Sequence, residues 1–432
     1  MALSGQSAGP SALDRATGRI HEMEPRVRAW ELIDEAGARE TSKKLETGKR
    51  LGGDRTYPHL RGLVVGVKDV IDVAGMPTKS GSKARDAAAA AGADATVVGR
   101  LRSAGAIILG KTKTTEFAYT DPTDTTNPAN PEHTPGGSSS GSAAAVAAGM
   151  ADIALGTQTV GSVCRPAAYC GVAAFKPTTG MTPGFGVTPL ARSFDTVGFF
   201  ARRMCLAADA FACSVGIQMD GTTPTPGWNS SRVGVLSDAF YLDCDSSVAD
   251  ALDQTRRLIE HKGARVVDVA SNVDFQAMRE HHRTMMFCEA ASVHGKLLDN
   301  PELLGANWCT ALEKGLRISG AAYWAARDRL SHAKARLAEA CAGVDILLLP
   351  PARSPAPKGL QSTGDAGFIL PWTVFGGPMA VLPVGRAPNG LPTSVMITGK
   401  PASDIATARL AINLEADLAN QTQRADNQES RQ

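Results

Sequence analysis

The sequence predicts an α/β protein organised as one large domain. Three observations lead there. Residues 63–67 (Leu-Val-Val-Gly-Val) fit a short buried strand, residues 93–104 carry a helical pattern, and residues 106–110 (Ala-Ile-Ile-Leu-Gly) are a second apolar strand run. Strand, helix and strand with short connections form a parallel α/β unit. Strand signals then recur to about residue 398 with no linker-like stretch between them, which favours one continuous sheet. With 432 residues, 43% hydrophobic and 20% charged, the chain can bury a large core.

Taken in order, residues 1–11 are rich in Gly, Ser, Ala and Pro and read as a flexible N-terminal segment. A helical rhythm over 12–47 is broken at Pro25. Beyond the strand–helix–strand unit, residues 121–135 read as an irregular loop of Pro, Thr and Asn. The loop feeds Pro135-Gly136-Gly137-Ser138-Ser139-Ser140-Gly141-Ser142 and then residues 143–150, a small apolar run suited to a tightly packed helix. Linkers do not usually run straight into buried helices, so the Gly/Ser run reads better as a site. Arg165-Pro166 starts a helix that breaks at 176–180. Strands at 232–236 and 265–269 flank a helix near 246–262. Residues 273–342 read as mainly helical, with Trp308, Trp324, Met285 and Met286 as core and His281-His282 as a solvated pair. Strands at 345–349, 380–384 and 391–398 precede a final helix at 402–419. The expected domain spans 12–420, followed by a polar tail at 421–432.

Composition excludes several classes of function. The net charge is +2 and no basic block stands out, so neither nucleic acid nor an anionic membrane is an expected partner. No segment approaches about 18 uninterrupted apolar residues, the length of a membrane span, and no secretory signal is expected from the first residues, which have neither a basic stretch nor a long apolar one. The 8 cysteines show no Cys-x-x-Cys pair and no zinc-like spacing with histidine, so they read as reduced thiols of a cytoplasmic protein. No metal and no cofactor is expected.

The Gly/Ser run and residues 156–162 place hydroxyls and bare backbone where a carbonyl could be attacked. A serine hydroxyl is a weak nucleophile and needs a base within reach. His133 is the histidine nearest the run, and no Gly-x-Ser-x-Gly elbow accompanies it. Lys68, at the end of the first strand, is the better base, because a desolvated lysine can accept a proton near neutral pH. The alternative is a solvated lysine after a strand. The N–H groups of Thr159, Val160, Gly161 and Ser162 precede a helix start and can converge on an oxyanion; the alternative is a tight turn with no ligand.

Gly136-Gly137-Ser138-Ser139, Gly161-Ser162, Pro166-Ala167, Cys170-Gly171, Lys176-Pro177-Thr178 and Gly66-Val67-Lys68-Asp69 together resemble the amidase signature family over roughly residues 15 to 415. The resemblance implies a mixed, mostly parallel sheet sandwiched between helices. It also implies a Ser–Ser–Lys triad with Lys68 as base, Ser138 as bridge through a cis Gly137–Ser138 peptide, and Ser162 as nucleophile. The two serines stand 24 apart (162 − 138), the family's usual spacing. Ser139 and Ser140 are expected to be scaffold. The implied activity is hydrolysis of a small-molecule amide, or of a related carbamate or urea, through an acyl-enzyme. The alternatives are the glutaminase subunit of a tRNA-dependent amidotransferase, or an esterase or urethanase on the same fold.

The sequence departs from the family pattern in ways that bear on substrate. Gln158 stands where most members have Asp, Val160 where Gly is common, and Cys164 where Arg is usual, with Arg165 one place later. Gln158, Arg165, Asp121-Pro122-Thr123 and Ser362-Thr363-Gly364-Asp365 resemble the malonamidase subgroup. That subgroup's second carboxylate-binding arginine is replaced here by Thr120. The expected substrate-binding residues are therefore Tyr119, Thr120, Gln158 and Arg165, around a neutral or aromatic-bearing amide, carbamate or urea; the alternative for Arg165 is a structural residue at a helix start. A homodimer is left open.

Overall fold

Eleven strands make one sheet among the described residues, which in this computed structural model are 11–47, 57–219 and 227–429, with side chains as far as Gln421. The expected flexible segment 1–11 lies almost wholly outside them. In chain order the strands are β1 (Trp30–Ile33), β2 (Val64–Lys68), β3 (Ile107–Thr112), β4 (Ile153–Gln158), β5 (Ala173–Lys176), β6 (Thr196–Ala201), β7 (Arg232–Leu236), β8 (Arg265–Val269), β9 (Ile346–Leu349), β10 (Met379–Arg386) and β11 (Pro392–Gly399). Across the sheet the order is β1-β3-β2-β4-β6-β5-β10-β11-β9-β7-β8. The sheet is mixed, as expected. Its parallel order is gathered in two blocks, β3-β2-β4 and β9-β7-β8, and six of the ten pairings are antiparallel.

Successive residues of a strand point to opposite faces. In β9, Leu347 and Leu349 enter one hydrophobic cluster while Ile346 and Leu348 enter another. Each cluster covers one face of the sheet, so the strands read as continuous apolar runs rather than alternations. The first cluster is roofed by Ala12–Val27, Ser140–Ala147, Cys164–Cys170 and the helices of 275–340. The second is roofed by Thr96–Ser103, Met204–Val215, Ser246–His261 and Asp404–Glu429.

Several expectations are corrected. Pro25 does not break its helix but sits in the last turn of Ala12–Val27, and β1 divides 12–47 before a second helix, Glu35–Glu46. The helix begun near Arg165 ends at Cys170 on left-handed Gly171 (φ 69°), so the chain is already strand β5 by Lys176. The last helix was expected to end at 419 but runs to Glu429, into the polar stretch that begins at 421. Trp308 is core, but Trp324 is 61% exposed. His282 is buried rather than solvated.

Candidate active site

β2 and β4 are parallel neighbours, with Val67 beside Leu155, so their carboxyl ends emerge together. Open parallel sheets place ligand sites at such ends. Lys68 closes β2 with no exposed surface, and its Nζ donates to Ser138 Oγ at 2.7 Å and to Thr157 Oγ1 at 2.8 Å. Burial strips the ammonium of water and drives its pKa well below the ordinary 10.5; the Asp195 carboxylate opposes that shift.

Ser138 precedes the helix Ser140–Ala147, and the Gly137–Ser138 peptide is cis. The small residues of that helix have a packing reason. A Cβ on Gly141 would collide with the Ala29 carbonyl and the Lys113 backbone. Ala143, Ala144 and Ala145 are fully buried. Close backbone approach is what brings Ser138 up to Lys68. Ser139 and Ser140 serve the scaffold. Ser139 Oγ accepts from Thr157 N at 3.3 Å, and Ser140 Oγ donates to Gly136 O at 2.7 Å.

Beyond β4 the chain turns through Thr159–Ser162 into Cys164–Cys170. Among the described residues, the N–H groups of Thr159, Val160, Gly161 and Ser162 donate to no protein acceptor. The loop is instead held by its carbonyls and side chains. Thr373 Oγ1 donates to Val160 O at 2.6 Å, and His282 Nε2 donates to Thr159 O at 3.0 Å. Thr159 Oγ1 donates to Asp195 Oδ1 at 2.5 Å. A Cβ on Gly161 would lie 2.8 Å from Ala366 Cβ, so only glycine admits that segment against the loop.

A cavity of about 200 Å³ opens beside the loop, lined by Tyr119, Thr120, Val160, Ser162 and Arg165 among others. Four larger clefts, of about 270 to 590 Å³, are lined by none of Lys68, Ser138 and Ser162. Tyr119 reaches the cavity from a turn in which Phe117 and Ala118 are left-handed (φ 44° and 61°), and its ring packs on Phe287 and Trp308. Ser162 thus faces the cavity; Lys68 and Ser138 do not line it.

Of the expected binding residues, Gln158 is placed differently from expectation, and Arg165 is shared between cavity and frame. Gln158 lies outside the cavity and is fully buried. Its Oε1 accepts from Val163 N and Cys164 N, and its Nε2 donates to Thr373 Oγ1, so it caps the helix Cys164–Cys170 and has no group left for substrate. Arg165 lines the cavity but spends two nitrogens on the frame, donating to Gly364 O at 2.5 Å and Gly137 O at 2.6 Å.

Sequence reading missed Asp195 and His282. The Asp195 carboxylate also accepts from Leu190 N and Ala191 N, yet burial outweighs these bonds and pushes its pKa up to about 6. Burial holds His282 neutral, with a pKa lowered to about 4. Neither residue has a local motif to mark it. Asp195 is joined to the loop through the β4–β6 pairing, which runs as far as Gln158 beside Thr196.

Fold and site together define an α/β enzyme with a buried lysine–serine pair beside a serine-bearing loop. The amidase family model matches residues 11–407, and the chain belongs to that family. It is 30% identical over 97% of its length to the A-type polypeptide of glutamyl-tRNA(Gln) amidotransferase, chloroplastic/mitochondrial, from Oryza sativa subsp. indica, covering 88% of that protein. It is 36% identical to the corresponding polypeptide from Roseiflexus castenholzii over 62% of this chain, spanning only 58% of that relative's length. A crystal structure of an amidase superposes with a TM-score of 0.84 at 30% identity, covering 94% of this chain and 96% of that one.

Proposed function

We propose that this chain is a free-standing hydrolase of small-molecule amides or related carbamates, acting through an acyl-enzyme on Ser162. The observation that carries the reading is the buried Lys68 Nζ at 2.7 Å from Ser138 Oγ, with its pKa driven down by burial. Neutral Lys68 takes the Ser138 proton as Ser138 takes that of Ser162. Ser162 Oγ bonds the carbonyl carbon, and the N–H groups of 159–162, which have no acceptor among the described residues, hold the oxyanion. Lys68 then returns its proton through Ser138 to the departing amine as the C–N bond breaks. Water frees the acid and regenerates Ser162. Tyr119 and Thr120 meet the substrate; Arg165 braces the Gly137 and Gly364 carbonyls around it.

A fluorophosphonate adduct mapped by mass spectrometry should fall on Ser162, and Ser162→Ala should abolish hydrolysis while keeping the far-UV circular dichroism. Labelling of another serine would overturn the assignment. A second reading, the glutaminase component of an amidotransferase, is favoured by the similarity to the rice protein. It expects the isolated chain to be inert on small amides and to use glutamine only with partner subunits.

A further inference from the structure

We infer that the cavity takes an amide whose far end carries a carboxylate, held by Arg279 and Arg283. This rests on the hydrolase reading and names its substrate class. The two arginines stand four residues apart on the helix Phe275–His294, hence on one face, and both line the cavity that holds Ser162. Both are exposed, and among the described residues neither forms an ion pair. Like charges at this spacing repel, and a shared anion would relieve them.

The charges around them leave these two unmatched. The cavity lining carries three arginines, 165, 279 and 283, against the single carboxylate of Asp365. Arg165 is bound to two backbone carbonyls and feels Asp365 as a charge partner. His282, between the pair in sequence, is buried and neutral. The acids nearest on the same helix are engaged elsewhere: Glu280 accepts from Gln276 Nε2 at 2.9 Å, and Glu289 from Ser193 N and Tyr323. Asp274 caps the helix through Ala277 N. Arg283 acts electrostatically on the Tyr119 hydroxyl, so its charge is felt inside the cavity. The expectation of a neutral substrate rested on Thr120 standing where the resembling subgroup has an arginine. The structure supplies positive charge from another element instead. Two guanidinium forks can take a carboxylate by charge-assisted hydrogen bonds.

The test compares matched probes, glutaric acid monoamide against pentanamide and adipic acid monoamide against hexanamide. The wild type should prefer the monoamides in kcat/KM, and the preference should shrink as salt is raised. In Arg279→Gln/Arg283→Gln the ratio of monoamide to neutral amide should fall about tenfold. Charge reversal, Arg279→Glu/Arg283→Glu, should turn the preference toward the amide of an ω-amino acid. Calorimetric binding of glutaric acid monoamide to Ser162→Ala, weakened by the double Gln substitution, reads the same contact without turnover. A ratio near one in the wild type, or unchanged in the variants, overturns the inference and leaves the hydrolase reading standing. Absence of turnover on every probe together with an unlabelled Ser162 overturns the hydrolase reading, and the inference with it.

Discussion

Burial removes the water that would solvate a Lys68 ammonium, and the Ser138 and Thr157 hydroxyls replace only part of it. The folded pKa therefore lies below the unfolded value near 10.5. Between the two values the unfolded chain holds more protons than the folded one, so stability from this residue rises with pH and is lost as pH falls. Lys68→Met should flatten that rise, seen as a smaller change of Tm with pH than in the wild type. Equal slopes would mean that Lys68 stays charged. For catalysis the same shift predicts that kcat/KM climbs with pH to a plateau reached well before 10.5. Asp195 tunes the limb. Its charge raises the Lys68 pKa, so Asp195→Asn should move the acid limb of the profile to lower pH. The variant should also lower kcat, because Thr159 loses its charged acceptor. A fall in kcat with an unmoved limb would reduce Asp195 to a brace for the loop.

The helix Cys164–Cys170 is too short to hold itself in place and depends on its first-turn N–H groups being satisfied. Gln158 does this from the preceding strand, bonding Val163 N and Cys164 N in the core. Leaving buried donors unpaired costs about 1–3 kcal/mol, so Gln158→Ala should lose that much in urea unfolding and should loosen Ser162 with it. A variant as stable as the wild type would remove Gln158 from this role. The case also shows what sequence could reveal. Ser138 and Ser162 lie in local runs of small residues and Lys68 ends an apolar strand run, so the family resemblance had local signals on which to place its three expected roles. The positions of Gln158 and Arg165 had no such signal, because their partners, Thr373 and Gly364, lie 215 and 199 residues away. β4 and β6 went unread for a related reason. Both of their faces are buried, so neither shows an apolar–polar alternation, and Gly156 and Gly198 face each other at their centre.

The order of strands decides how the molecule comes apart. β5, from residues 173–176, lies between β6 and β10, and β10 comes from residues 379–386. The first half of the sequence therefore cannot complete its sheet without the last strands. The site is woven in the same way. Lys68 comes from β2, Gly364 braces Arg165, and Arg279 enters from the helical region between them. His282 and Thr373 fasten that later sequence to the serine loop. Two clusters on either face of one sheet, joined through shared strands, should melt as one unit. In a urea titration, loss of the proposed amide hydrolysis, loss of far-UV ellipticity and the shift of tryptophan fluorescence should share one midpoint. Trp308 reports the helical region and Trp30 the first strand of the sheet, so the fluorescence samples both. Activity that disappears at lower urea than ellipticity would show that the helices of 275–340 leave the sheet first. The arginine pair and His282 would then belong to a separately unfolding element, and the serine loop would lose its brace before the sheet opens.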